Sequence, residues 1–404
     1  MNETLYEHIV IGKGLMGAAA ARHLSAEGAQ VALIGPDEPA DRWTHQGVFA
    51  SHYDEGRITR ILDADRIWAL LAQRSIARYR EIEARSGVSF YHEVGHLTVG
   101  PEPQAADDYT ARVQAVGTQL GVTYETYADV ALQEQFPDLA FEPGSVGMYQ
   151  PHTSGHVSPR AQVLAQATVA RQQGAAIIPE TVHTVRQVNN HVDVLTEEGH
   201  VYRAAHVLVA TGGFTNTKNL LPRPLKLDVY ARTIVLMELG ADDVQRLRSM
   251  PSVIYKSRNP DGGCYILPPI QYPNGKYYLK IGGGTPNDPK LDTLDELGAW
   301  FRSRGRQTDA EYLTAKLHAI VPNLNPVAVH SESCVTSYTP TPYLYAGKFD
   351  GERIGVLTAG TGSAAKSADE IGRMGALMMR NQSWVYDLEA AHFRLQFADT
   401  SGNA

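Results

Sequence analysis

The clearest chemistry in this chain belongs to a set of glycines at its beginning. Gly12-Lys13-Gly14-Leu15-Met16-Gly17 is reached directly from the apolar run His8-Ile9-Val10-Ile11 and leads into an alanine-rich segment. A strand that turns through G-x-G-x-x-G into a helix is built to hold a dinucleotide. Its first glycine makes the turn, its second lets backbone approach the pyrophosphate, and its third lets the helix pack on the strand. The phosphates then meet the positive end of the helix, where N–H groups lack partners. Gly12, Gly14, Leu15, Met16 and Gly17 are therefore candidate cofactor contacts. One usual part is missing. The second strand of such a unit ends in an acidic residue for the adenosine ribose, but here Leu33-Ile34 is followed by Gly35-Pro36, with Asp37 and Glu38 the nearest carboxylates. Either Asp37 reaches back or the ribose is held otherwise.

The surrounding elements support that reading. A helix from Leu15 to about Ala26 closes at Gly28, and Gln30 to Ile34 follows as a second apolar strand. Arg66 to Arg85 carries Ile67, Leu70, Leu71, Ile76, Tyr79 and Ile82 at helical spacing, and Gly87 stops it. Val88 to Val99 reads as strand, and Asp107 to Gln135 as helix and then irregular chain. Ser158-Pro159 opens a helix through Arg171, and a hairpin turns at Glu197-Glu198-Gly199. A second βαβ-like passage then delivers the strand His206 to Ala210 into Thr211-Gly212-Gly213 at the same crevice. From Arg223 to Gly284 the pattern changes to strands, which predicts a separate substrate-facing sheet. Two helices follow, the second expected to start at a capping box of Thr308 and Glu311. Ile354 to Ala359 is a buried strand that turns through Gly360-Thr361-Gly362 into a helix from Ser363 to Met379.

With 404 residues the chain exceeds one ordinary core, so two interleaved domains are expected. A formal net charge of −8 argues against nucleic acid or an anionic membrane as partner. No apolar run reaches the ~18 residues a bilayer span needs, and the N-terminus lacks the basic start of a signal peptide. Two cysteines do not make a disulfide framework. These features predict a cytoplasmic protein, and the pattern calls for no metal.

Taken together, Gly12 to Ala21, Ser51 to Arg60, Leu279-Lys280-Ile281-Gly282, Cys334 to Pro340 and Ala359-Gly360-Thr361-Gly362 with Lys366 resemble one family. They are similar to the amine-oxidising flavoenzymes of the glutathione-reductase-like fold, and most closely to the monomeric sarcosine oxidase group. The resemblance covers most of the chain and implies an α/β architecture, α+β overall. An FAD-binding Rossmann domain (1–86, 152–218 and 329–404) would interleave with a mixed β-sheet substrate domain (87–151 and 219–328).

The same resemblance implies FAD, attached covalently through Cys334, and a monomer that takes a small amine or amino acid together with dioxygen. Cofactor contacts would come from the glycine loop, Asp37, Ser51, His52, Arg57, Val182, Ala210, Gly212, Cys334, Gly360, Thr361, Gly362, Ser363 and Lys366. Lys280 would stand beside the flavin where dioxygen is reduced, a place for a fixed cation. Arg57 and Tyr265 would complete the catalytic set. Arg60 and Lys366 would bind the substrate carboxylate, arginine by a two-pronged fit and lysine by charge, with Tyr265 and Tyr53 beside it. Cys264 has no matching role and reads as core packing. Departures are also clear. Gly284 and Tyr53 stand where the sarcosine oxidases carry histidines, and Thr336, Ser337 and Tyr338 alter the rest of the pocket, so the lost histidine side chain suggests room for a larger substrate. The implied activity is oxidation of an N-methyl or cyclic amino acid with release of hydrogen peroxide. A dehydrogenase or monooxygenase using the same flavin, or a flavin-binding module without turnover, are the alternatives.

Overall fold

The computed structural model describes residues 5–106, 108–259, 262–285, 288–351 and 353–398. The expected helix start at Asp107 lies outside them, as do residues 1–4 and 399–404 of the domain division. The chain opens with β1 (Leu5–Ile11), α1 (Leu15–Ser25), β2 (Val31–Ile34), β3 (Arg57–Thr59) and α2 (Arg66–Ser86). Next come β4 (Tyr91–His92), β5 (His96–Pro101), α3 (Tyr109–Gln119), β6 (Glu125–Ala128), α4 (Asp129–Gln135), β7 (Ser145–Gln150) and β8 (Gly155–Val157). Then α5 (Pro159–Gln172), β9 (Ala176–Ile178), β10 (Val182–Val188), β11 (His191–Thr196) and β12 (Val201–Val209) return to the first sheet.

That sheet is nucleotide-binding in design. Five parallel strands run in the order β9-β2-β1-β12-β19, where β19 is Ile354–Thr358, and β18 (Tyr345–Lys348) lies antiparallel on its edge. β12 is reached through the antiparallel meander β10-β11-β12, so the passage to Ala210 is not the second βαβ unit expected of it. Alanines make α1 thin, and this has a purpose. Helix α9 (Ala364–Arg380) crosses it so closely that a Cβ on Gly372 would lie 2.5 Å from that of Ala19. The same layer is pinned by a buried network in which Asp369 of α9 accepts from Arg22 of α1 at 2.6 Å and from Arg78 of α2 at 2.5 Å.

The second sheet has the order β17-β13-β16-β15-β14-β5-β7-β6. Its strands β13 (Asp228–Glu238), β14 (Ser252–Tyr255), β15 (Cys264–Gln271), β16 (Tyr277–Gly282) and β17 (Ala328–Tyr338) carry helices α6 (Ala241–Arg246), α7 (Leu294–Phe301) and α8 (Gln307–Ile320) between them. Leu279, Ile281, Leu313, Leu317 and Val253 share one apolar core there. β17 pairs with β13 along its whole length, so the chain returns to the first sheet only after residue 338, not at 329. The capping box also differs from expectation: Thr293 and Glu296 form it at the start of α7, whereas Thr308 lies inside α8. Both helices have acidic first turns, and only the bonded geometry tells them apart.

The glycine loop is sterically determined. A Cβ on Gly17 would lie 1.9 Å from the Gly12 carbonyl oxygen, and Gly12, at φ +105°, would collide with the Ala210 carbonyl at 2.4 Å. Gly87, which ends α2 at φ +71°, has nothing within 4 Å of the added carbon. Gly87→Ala should therefore cost only about 1 kcal/mol and leave flavin content unchanged. Gly17→Ala should lower the melting temperature further and strip the flavin, as thermal denaturation and absorbance of the purified variants would measure.

Candidate active site

The glycine loop opens a cavity of about 610 Å³ between the ends of β1 and β12 and the strands β13 and β17 of the second sheet. Most residues expected to contact the cofactor line it, from Gly12, Gly14, Leu15 and Met16 through Ser51, His52 and Arg57 to Val182, Ala210 and Gly212. So do Cys334 and the turn from Gly360 to Ser363, together with Lys366. Gly17 sits beneath the loop as packing.

The shape suits a dinucleotide. A Cβ on Gly14 would meet nothing nearer than His52 Nδ1 at 3.9 Å, so backbone there faces open space. Neither α1 nor α9 has a side-chain cap, which leaves first-turn N–H groups free to meet phosphate or carbonyl oxygen. Ala359 (φ 66°), Thr361 (φ 48°) and Gly362 (φ 77°) turn into α9 through left-handed backbone. That conformation costs a non-glycine residue about 1–2 kcal/mol. The Thr361 N–H to the Ser337 carbonyl, 3.0 Å, holds the turn against the second sheet.

Two buried ion clusters shape the other end. In the first, Asp54 accepts from Lys280, from Arg57 and, at 2.8 Å, from the Tyr272 hydroxyl. Lys280 also donates to the Gly56 carbonyl at 2.9 Å. It is 1 % exposed and lies one layer behind the cavity wall, with its ammonium 5.7 Å from the Tyr265 ring centre. Burial and the Arg57 cation push its pKa well down, against a smaller upward pull from Cys334. Arg57 itself reaches the Ser51 carbonyl at 2.8 Å and the Cys334 sulfur at 3.7 Å.

In the second cluster, Asp63 accepts from Arg60 at 3.0 Å and from Lys366. Burial would raise the Asp63 pKa, but Lys366 and Arg60 outweigh it and keep the carboxylate ionised. Burial and Arg60 lower Lys366 to about 8. The two expected carboxylate-binding residues are thus together on the cavity wall, and they already share an internal carboxylate that stands behind them.

Three expectations need correction. Asp37 does not reach the ribose side of the cavity: it pairs at the surface with Lys13, whose backbone fills the place of any side chain on Gly35. Tyr53 donates to the Asp37 carbonyl at 3.3 Å, at the nucleotide end and not beside Tyr265. Lys280, expected beside the flavin, does not line the cavity. Gly284 does line it, and a Cβ there would meet nothing nearer than Asp288 Oδ2 at 3.9 Å and Arg232 Nη1 at 4.0 Å, two groups that pair with each other. Arg232 is held further by Thr336 at 2.8 Å and Tyr338 at 3.2 Å. His52 is buried and neutral, its pKa lowered to about 3 by burial. Burial raises the Cys264 thiol to about 11, in keeping with a packing role. Sequence reasoning missed Asp54, Asp63, Tyr272 and Arg232 as site residues. The signal present was the i,i+3 spacing of Asp54 to Arg57 and Arg60 to Asp63.

A parallel sheet with a glycine loop, facing a mixed sheet across a cationic cavity, defines the class of dinucleotide-dependent oxidoreductases. The chain belongs to the family of FAD dependent oxidoreductases (DAO), whose pattern matches residues 7–377. It is 25 % identical over 398 residues to an N-methyl-L-tryptophan oxidase of Yersinia pestis (strain Pestoides F), covering 96 % of this chain and all of that protein. Among solved structures it is similar to NikD, an amino acid oxidase of nikkomycin biosynthesis, with TM-score 0.78 at 21 % identity over 99 % of this chain and 100 % of that one. Glycine oxidase from Geobacillus kaustophilus gives TM-score 0.71 at 20 % identity, covering 97 % and 98 %. No helix among the described residues is long and apolar enough to cross a membrane.

Asp63→Asn tests the second cluster. Leaving Arg60 and Lys366 buried without their carboxylate should cost about 3–5 kcal/mol of stability. Asp63 is also what holds the Lys366 pKa up against burial. Acetate-induced perturbation of the flavin spectrum should therefore fade at lower pH in the variant than in the parent.

Proposed function

We propose that the protein is an FAD-dependent oxidase of a secondary amine that carries a carboxylate, an N-methyl or cyclic amino acid. The observation that carries this reading is the charge of the cavity wall. Lys13, Arg57, Arg60, Lys218, Arg232, Lys256 and Lys366 contribute to it, and among the described residues no aspartate or glutamate does, in a chain of net charge −8. An anionic cofactor and an anionic substrate suit such a wall.

FAD held by the glycine loop, Arg57 and the Gly360 turn would supply the acceptor for a hydride equivalent from the carbon beside nitrogen, and the route by which those electrons reach dioxygen as hydrogen peroxide. The chain's residues do the rest. Arg60 and Lys366 hold the substrate carboxylate, with Asp63 fixing their orientation from behind. The same wall acts on the amine: it offers the ammonium no carboxylate partner and several repelling cations, which favours the neutral amine. A free lone pair is what C–H cleavage beside nitrogen requires. Burial keeps Tyr265 protonated, with a pKa near 12, so it serves as a neutral wall. Lys280 and Arg57 share one carboxylate, and the remaining positive charge stabilises the negative charge that develops on dioxygen. Cys334 is the residue of covalent attachment, with its sulfur on the cavity wall and the Arg57 guanidinium beside it.

Anaerobic mixing of the holoprotein with N-methyl and cyclic amino acids tests the reading. At least one should bleach the flavin and, in air, yield one peroxide per amine consumed. Bleaching without peroxide would make the protein a dehydrogenase, and no bleaching by any of them would overturn the assignment. Acid precipitation should carry the flavin colour into the pellet, and Cys334→Ser should release it. Lys280→Met should slow reoxidation of reduced flavin by ~10²–10³ while sparing anaerobic reduction.

The pH dependence has a fixed sign. Reduction at low substrate concentration should rise with pH as the amine loses its proton, then fall through about pH 8 as Lys366 loses its charge. Lys366→Arg, charged throughout, should abolish the falling limb in stopped-flow measurements.

A further inference from the structure

Among the described residues, each cation of the cavity wall but one is paired with a carboxylate. Lys13 pairs with Asp37, Arg57 with Asp54, Arg60 and Lys366 with Asp63, Lys218 with Glu197, and Arg232 with Asp288. Lys256, one residue beyond β14, is the exception: among the described residues no carboxylate lies within ion-pair distance of it.

Its position is nonetheless fixed. Its N–H donates to the Val99 carbonyl at 2.9 Å, which continues the β14–β5 pairing by one residue. Strand alternation puts it on the same face as Ile254, and both line the cavity. Gly263 makes room for the side chain, since a Cβ there would sit 3.3 Å from both Cδ and Nζ of Lys256. The ammonium lies 5.8 Å from the Tyr109 ring centre. Tyr109 in turn has Arg60, Asp63 and Arg112 among its charged neighbours. The phenol ring of Tyr109 thus stands between this cation and the Arg60–Lys366 carboxylate seat.

Lys256 is exposed and also lines the cavity, so its ammonium meets solvent on one side and whatever occupies that end of the cavity on the other, where the described lining carries no carboxylate. We propose that Lys256 is a second anion seat, so that the substrate is an N-substituted amino acid with two acidic groups, one held by Arg60 and Lys366 and the other by Lys256 across Tyr109. This rests on the oxidase reading above and narrows it to amino dicarboxylic acids.

The test compares matched compounds on the holoprotein. N-methylglutamate should reduce the flavin anaerobically with kcat/KM at least about tenfold above N-methylglutamine, the scale of one charge-assisted contact. Lys256→Met should bring that ratio close to one, and Lys256→Arg should restore most of it. In parallel, glutarate should perturb the oxidised flavin spectrum at lower concentration than butyrate, and the difference should shrink in Lys256→Met and at high salt. Equal ratios in parent and Lys256→Met, in both assays, would overturn the proposal. If neither amino acid reduces the flavin, the oxidase reading is decided by the wider set of N-methyl and cyclic amino acids, and the glutarate–butyrate comparison still decides for or against the second seat.

Discussion

Two buried carboxylates, Asp54 and Asp63, are the constraint on which the site depends. Bringing Lys280, Arg57, Arg60 and Lys366 out of water would be prohibitive without them, because an unpaired buried charge costs several kcal/mol. They also join parts that lie far apart in sequence. Asp54, just before β3, is bonded to Lys280 of β16 and to Tyr272 after β15, both in or beside the second sheet. Asp63 ties the segment after β3 to Lys366 in the first turn of α9, which belongs to the first layer. The short chain between them therefore fastens the nucleotide-binding and substrate-facing halves to each other. Both carboxylates sit behind the cavity wall, so Arg57, Arg60 and Lys366 turn their positive ends to the cavity, with Lys280 one layer back.

This arrangement converts an acidic chain into a cationic chamber. The glycine loop and the two uncapped helix starts add backbone N–H groups of the same sign. Specificity then depends on where the cations stand. Arg232, locked by Asp288, Thr336 and Tyr338, stands on the cavity wall at the border of the space beside Gly284.

Much of this was legible in the residues. The glycine loop, its flanking strands, the long helix ending at Gly87, and the turn through Gly360 each follow from local sterics and periodicity. Arg57, Arg60, Lys366, Tyr265 and Cys334 are candidates through the family resemblance alone, and the fold gathers them on one cavity wall. What escaped depends on pairing across distance. Lys280 reads as a strand lysine beside the flavin, yet its place one layer back is set by Asp54, more than two hundred residues away. The resemblance puts β17 in the first half of the fold, from residue 329 on, but its backbone bonds go to β13. The capping box at Thr293 lost to Thr308 because both sites have an acid three residues on.

The sign of the cavity's field is measured most directly with a matched pair of ligands on the oxidised holoprotein: propionate and propylammonium, titrated against the flavin spectrum at low and high salt. A wall of cations neutralised from behind binds the acid, with affinity falling as salt is added, and leaves the spectrum unmoved by the amine. Propylammonium binding as tightly as propionate would contradict it.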